Sequence, residues 1–209
     1  MFLIERVIAA AGIVWAAALL GFQLLKAWGG GRRDYSAPAG NPLRGVLYNF
    51  TAAMSPAHKE TIRHHPFKFA VGLVMHAGVA VSLLKIIVLL VKPDTPPVAP
   101  IAVGGFLAVT AAAAAFLFLR RFLSPNLRAM SAFDDYLASF VTLSCLAIAA
   151  GHEFGLVNAG VFLLAAAAAT FYIPLGKLRH VLFCPVSRLD LGRRMGYRGT
   201  YPPPRLAKN

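Results

Sequence analysis

The sequence predicts an all-α integral membrane protein: a bundle of five transmembrane helices, N-terminus outside and C-terminus cytoplasmic. Three observations carry this. The 209 residues are 58% hydrophobic and only 14% charged. The apolar residues gather into stretches of about 20, enough to cross a bilayer core of about 30 Å. The net charge of +13 is confined largely to alternate connections. Each stretch must be helical, because lipid offers the backbone no hydrogen-bond partner and the period-two alternation of a barrel strand is missing.

The first span is Ile8 to Leu25. No small-residue cleavage site follows it before Lys26 and Trp28, so it is read as a retained helix and not a signal peptide. A long basic connection from Trp28 to Arg63 leads to the second span, Phe69 to Val91, which carries Lys85. The third runs from Val98 to Leu119. The fourth, Ala132 to Ala150, opens with Asp134 and Asp135, and the fifth is Val157 to Gly176. Residues 1–185 therefore form the membrane domain. Residues 186–209 are basic, contain Pro202-Pro203-Pro204 and lack an apolar period, so they read as a tail poorly ordered on its own.

Charge sets the orientation. Lys26, Arg32, Arg33, Arg44, Lys59, Arg63 and Lys68 lie between the first and second spans. Arg120, Arg121 and Arg128 lie between the third and fourth, and Lys177, Arg179 and further arginines follow the fifth. The other side holds Arg6 and Lys92, while Gly151 to Leu156 has neither Lys nor Arg. The positive-inside rule then places the C-terminus in the cytoplasm. The basic residues flank helix ends and form no separate domain, which argues against a nucleic-acid partner.

Two histidines stand out. Gly72-Leu-Val-Met-His76 and Gly176-Lys-Leu-Arg-His180 each place a glycine four residues before a histidine, on the same helical face. A histidine is costly in hydrocarbon, and a glycine beside it removes the side chain that would block a flat ligand. The pair suggests bis-imidazole ligation of one haem iron in the inner half of the membrane. The alternative is that each hydrogen-bonds a neighbouring helix. Arg120 and Arg121 stand at the same level, and an arginine fork suits a haem propionate or merely enforces topology. His58, His64 and His65 read as interfacial histidines near the second span. His65 is also deep enough to compete for pairing with His180, or to hydrogen-bond a propionate or quinone. Cys145 and Cys184 sit at different depths, and no CxxC run is present, so a haem would be held non-covalently.

Met75-His76-Ala77-Gly78, Arg120-Arg121-Phe122-Leu123-Ser124-Pro125-Asn126-Leu127-Arg128-Ala129 and Ile173-Pro174-Leu175-Gly176-Lys177-Leu178-Arg179-His180 carry a resemblance. In order and spacing they resemble the second helix, the loop between the third and fourth helices, and the end of the fifth helix of the cytochrome b (gamma) subunit of respiratory nitrate reductase. Met54-Ser55-Pro56-Ala57-His58-Lys59-Glu60 and Arg63-His64-His65-Pro66 look closer to the cytochrome b subunits of heterodisulfide-reductase-like and sulfite-reduction-associated complexes. The resemblance implies a b haem on His76 and His180 in a prokaryotic inner membrane. It also implies quinone as the redox substrate and a cytoplasmic-side iron–sulfur or catalytic partner. That family carries a second haem about three turns away, at positions falling here at or near Ile86 and Phe162, which cannot ligate iron. One haem is the expectation.

Lys85 lies towards the outer end of its span, where it either snorkels to headgroups or offers a polar floor to a quinone. His152 and Glu153 reach a similar level. Together the three would supply a hydrogen-bond donor and a proton acceptor for quinol oxidation; a site moved inward to His64 and His65 is the alternative. The long first connection and the tail would dock the soluble partner. No catalytic triad or phosphate loop appears, so the chain reads as a conduit and anchor. A haem-free anchor is the alternative class. A small transporter is the weakest, since it wants midplane charges or broken helices and the sequence offers only Lys85.

Overall fold

The computed structural model describes residues 2–30, 40–55, 63–93, 95–96 and 100–195, and among them it is all-helical. In chain order the helices are α1 (Leu3–Gly30), α2 (Pro42–Phe50), α3 (Pro66–Val91), α4 (Gly105–Leu123), α5 (Pro125–Met130), α6 (Phe133–Glu153), α7 (Ala159–Tyr172) and α8 (His180–Met195). A π-turn, Pro100–Gly104, leads into α4, and 3₁₀ turns cover Ala52–Met54 and Lys177–Arg179. The chain divides into two compact units.

The first unit holds residues 1–22 and 70–179. Its core joins Ala9 of α1, Ile86 and Leu89 of α3, Leu107 and Ala114 of α4, Leu146 and Ala149 of α6, and Phe162, Leu163 and Ala166 of α7. Small residues let the helices approach, as lipid-embedded bundles require. Gly78 of α3 lies against Thr110 of α4, and Gly12 of α1 against Thr170 of α7, with no room for a Cβ at either glycine. Contacts at the helix ends fix the direction of each. Arg6 donates to the Leu90 carbonyl at 2.5 Å, Gly104 meets Phe154, and Gly160 meets Phe2. The starts of α1, α4 and α7 thus share one end of the unit with the finishes of α3 and α6, an up–down alternation.

Four helical segments are long and apolar enough to cross a membrane: Leu3–Gly30, Pro66–Val91, Ile101–Leu123 and Phe133–Glu153. Only 22–28% of each apolar window is buried inside the protein, so most of the apolar surface faces outward. Water would not tolerate this and lipid does. The chain reads as a multi-pass membrane protein.

The fifth segment departs from expectation. Instead of one helix running through Gly176, α7 stops at Tyr172 after 14 residues, about 21 Å at 1.5 Å per residue, short of a bilayer core. Pro174 brings no N–H to continue the helix. The backbone N–H of Lys177 bonds instead to the Asp134 carboxylate at 2.9 Å. Joined to Lys177–Arg194 beyond the break, α7 raises the number of spans among the described residues from four to five at most.

The second unit holds residues 23–69 and 180–209. It contains two helices where the sequence suggests loop and tail. α2 begins at Asn41-Pro42, with the Asn41 side chain accepting from the Arg44 N–H at 3.0 Å and Pro42 pre-set for the first turn. α8 extends the helical path to Met195, so residues 186–195 are not irregular. The two pack through Gly192, whose Cβ position would lie 2.7 Å from the Val46 backbone. Arg188 donates to the Asn49 carbonyl at 2.8 Å, and the buried Asn49 amide donates to Gly45 at 2.9 Å.

Candidate functional site

At the end of the first unit where α3 and α6 finish, Lys85 and Glu153 form an ion pair with side chains 11% and 0% exposed. Gly104 creates the space. A Cβ there would sit 3.1 Å from that of Glu153 and 3.0 Å from the Phe154 ring, so a larger residue would push the end of α6 away. The preceding π-turn, a form common at functional sites, belongs to the same corner. His152, also buried, stacks on Phe162 with ring centroids 5.5 Å apart, and its Nδ1–H donates to the Val157 carbonyl at 3.1 Å. That bond fixes the tautomer, because a carbonyl only accepts, and makes Nε2 the basic nitrogen. His152 Nε2, Ser82 Oγ and the Glu153 carboxylate oxygens are buried without a hydrogen-bond partner beyond the ion pair, as are Arg6 Nε and Arg121 Nε elsewhere among the described residues.

Chemically, this corner offers an ammonium, a carboxylate and a basic imidazole nitrogen in an apolar shell. Ionisable groups buried in apolar spans are costly, which makes this corner a candidate site. Of Lys85, His152 and Glu153, expected from their depth to gather, Lys85 and Glu153 are in contact, while His152, the neighbour of Glu153 in α6, is turned to Phe162 and Val157. Lys85 does not snorkel to the headgroups; it points to Glu153.

His76 lies on α3 with its ring exposed. Its Nδ1–H donates to the Gly72 carbonyl at 2.7 Å. Nothing lies within 4 Å of a Cβ built on Gly72, so the space at that glycine is open. A metal-ligating imidazole commonly donates its other ring N–H to a carbonyl, and the Nδ1 bond of His76 is compatible with that role. His180 is the first residue of α8, exposed, and belongs to the second unit. Gly176 plays a different part from Gly72. A Cβ there would run into Tyr172 and Asp134, so this glycine serves close packing and leaves no open face.

The opposite end of the first unit is held by a network that sequence reasoning missed. The Tyr172 hydroxyl donates to the Asp134 carboxylate. Lys177 pairs with Asp135 at 2.5 Å, and Arg121 lies 3.3 Å from Asp135 and donates to Ser131 at 3.1 Å. Arg121, expected beside a propionate, is engaged here. Arg120 is half-buried at the end of α4. The available signal was two adjacent acids opening an apolar segment, with Lys177 following another. His64 and His65 are exposed and belong to the second unit, just before α3, whose Phe69 N–H bonds to the His65 carbonyl at 3.2 Å. His58 lies outside the described residues.

Compared with known proteins, the chain matches no family model, no curated protein and no solved structure.

Proposed function

We propose that this chain is a membrane-anchoring cytochrome b subunit. It carries electrons between the membrane quinone pool and a cytoplasmic-side iron–sulfur partner of a respiratory oxidoreductase, through one b haem held by His76 and His180 in a prokaryotic inner membrane. The observation that carries the reading is His76: an imidazole on an apolar span, its Nδ1 tied to the carbonyl of Gly72, a position where no side chain fills the space. His180 supplies the second imidazole. The haem, when bound, supplies one-electron chemistry, and the apolar residues of α3 exclude water from it. The resemblance of the His76, Arg120–Ala129 and Ile173–His180 segments to the nitrate reductase gamma subunit supports the same assignment. So does the charge bias that puts the N-terminus outside.

The Lys85–Glu153–His152 corner supports the quinone half. Quinol oxidation releases protons with its electrons, so it needs a donor to hold the ring oxygen and bases to receive protons. Lys85 is the donor; Glu153 and His152 are the bases.

One observation favours a second reading, a haem-free anchor for a soluble redox partner: the filled seat at Gly176 removes half of the paired glycine pattern. A dithionite-reduced minus oxidised spectrum of the purified chain separates the two. A b-type spectrum lost in both His76→Ala and His180→Ala upholds the cytochrome. A folded protein without haem leaves the anchor.

A further inference from the structure

The second unit carries an apolar surface that haem ligation does not explain. α2 buries Gly45 and Asn49 and turns Leu43, Leu47 and Phe50 outward, 69%, 56% and 40% exposed. Positions i, i+4 and i+7 form one stripe along a helix. Such a stripe, on a helix whose side bearing Gly45 and Asn49 is packed, marks a surface that something apolar covers.

Two further features say what covers it. The described residues of this unit include Lys26, Arg44, Arg63, Lys68, Arg188, Arg193 and Arg194 against one acid, Asp190. The unit also contains Gln23–Gly30, the end of α1, and Pro66–Phe69, the start of α3. α1 has 28 residues, about 42 Å of helix against a hydrocarbon core of about 30 Å, so its last turns emerge among headgroups. α2 therefore belongs to a basic unit anchored at a bilayer surface by two span ends. Apolar stripe, positive surroundings and that location match the boundary between acyl chains and anionic headgroups.

We propose that α2 is an in-plane amphipathic helix. Its Leu43–Leu47–Phe50 stripe inserts at the headgroup–acyl boundary of the leaflet where α1 ends, and anionic phospholipid is the ligand that holds it there. This goes beyond the cytochrome reading and stands without haem.

The test uses the full chain, with Cys145 and Cys184 replaced by serine, in vesicles with and without phosphatidylglycerol. Nitroxide labels go on Leu43→Cys, Leu47→Cys and Phe50→Cys, with Arg44→Cys as the control. Collision rates are read with oxygen, which partitions into lipid, and with a water-soluble nickel chelate. The expected result is a several-fold higher oxygen-to-chelate ratio at the three stripe positions than at Arg44→Cys, falling when phosphatidylglycerol is omitted. Chelate access equal to that at Arg44→Cys would place the stripe in water and overturn the proposal. Exclusion of both reagents would mean that protein covers it, a second copy or another subunit, and would also overturn it. The labelled side chains are exposed, whereas Gly192 and Arg188 of α8 meet α2 at Val46 and Asn49, and if one variant misfolds the other two report on the same face.

Discussion

Removing one partner of the Lys85–Glu153 pair is expected to be among the most destabilising single changes in the chain. The side chains are 11% and 0% exposed, so solvent screens little of the interaction. Breaking such a pair leaves one uncompensated charge in an apolar interior, at about 3–5 kcal/mol. Replacing both members by apolar residues of similar size is about neutral, or stabilising by about 1–4 kcal/mol. Lys85→Met and Glu153→Leu should each be costly, and the double variant should recover most of the loss. The coupling in this cycle is then at least about 3 kcal/mol. That is well above the roughly 0.6 kcal/mol typical of neutral interhelical hydrogen bonds in membrane proteins. The assay is reversible unfolding in mixed micelles with increasing dodecyl sulfate, followed by circular dichroism. Single changes costing under about 1 kcal/mol each and adding in the double variant would be the signature of an exposed pair, and would refute the reasoning.

Three other outcomes rest on the packing. Gly78→Val drives its side chain into Thr110 and should cost about 1–3 kcal/mol; Gly72→Ala, with nothing within 4 Å, should leave unfolding within about 0.5 kcal/mol of wild type. Gly104→Val presses on Phe154 and Glu153 and should cost about 1–3 kcal/mol in the same assay. Asn41→Ala removes the α2 cap, worth about 1 kcal/mol, and should speed hydrogen exchange at the Arg44 amide while leaving α6 amides unchanged.

How far the fold can be read from sequence differs by element, for physical reasons. The four spans are legible because about 20 apolar residues in lipid have only one backbone solution. Several ends lie further out than composition suggests, α1 reaching Leu3 and Gly30 and α6 Glu153, because helices continue into the headgroup region where composition turns mixed, while the third begins later, at Ile101. The fifth reads as straight in sequence although Pro174 is in view. Whether a helix stops at a proline depends on what satisfies the backbone groups beyond the break, and Asp134, 43 positions before Lys177, accepts the Lys177 N–H. α2 offers a window of nine residues, too short for periodicity to stand out; Asn41-Pro42 is its readable mark. α8 is held by Gly192 and Arg188 against α2, contacts with no local pattern.

The site divides in the same way. Counting depth from the span ends is enough to gather Lys85, His152 and Glu153 at one level, but not to show that Lys85 turns inward. That turn is made by the contact with Glu153, which belongs to a different helix. Gly72 and Gly176 look identical as sequence. One faces open space and the other packs beneath Tyr172, a distinction made by neighbours and not by spacing.

The most direct measurement on the central claim is the ratio of haem to chain in the purified protein, taken with the low-temperature paramagnetic resonance of its oxidised form. The account expects about one b haem per chain with a low-spin bis-imidazole signal, absent from His76→Ala and His180→Ala, and present at reduced occupancy in Gly72→Leu with its stability unchanged. Two haems per chain would contradict the single-haem assignment. A folded, membrane-inserted chain that takes up none would contradict the cytochrome itself.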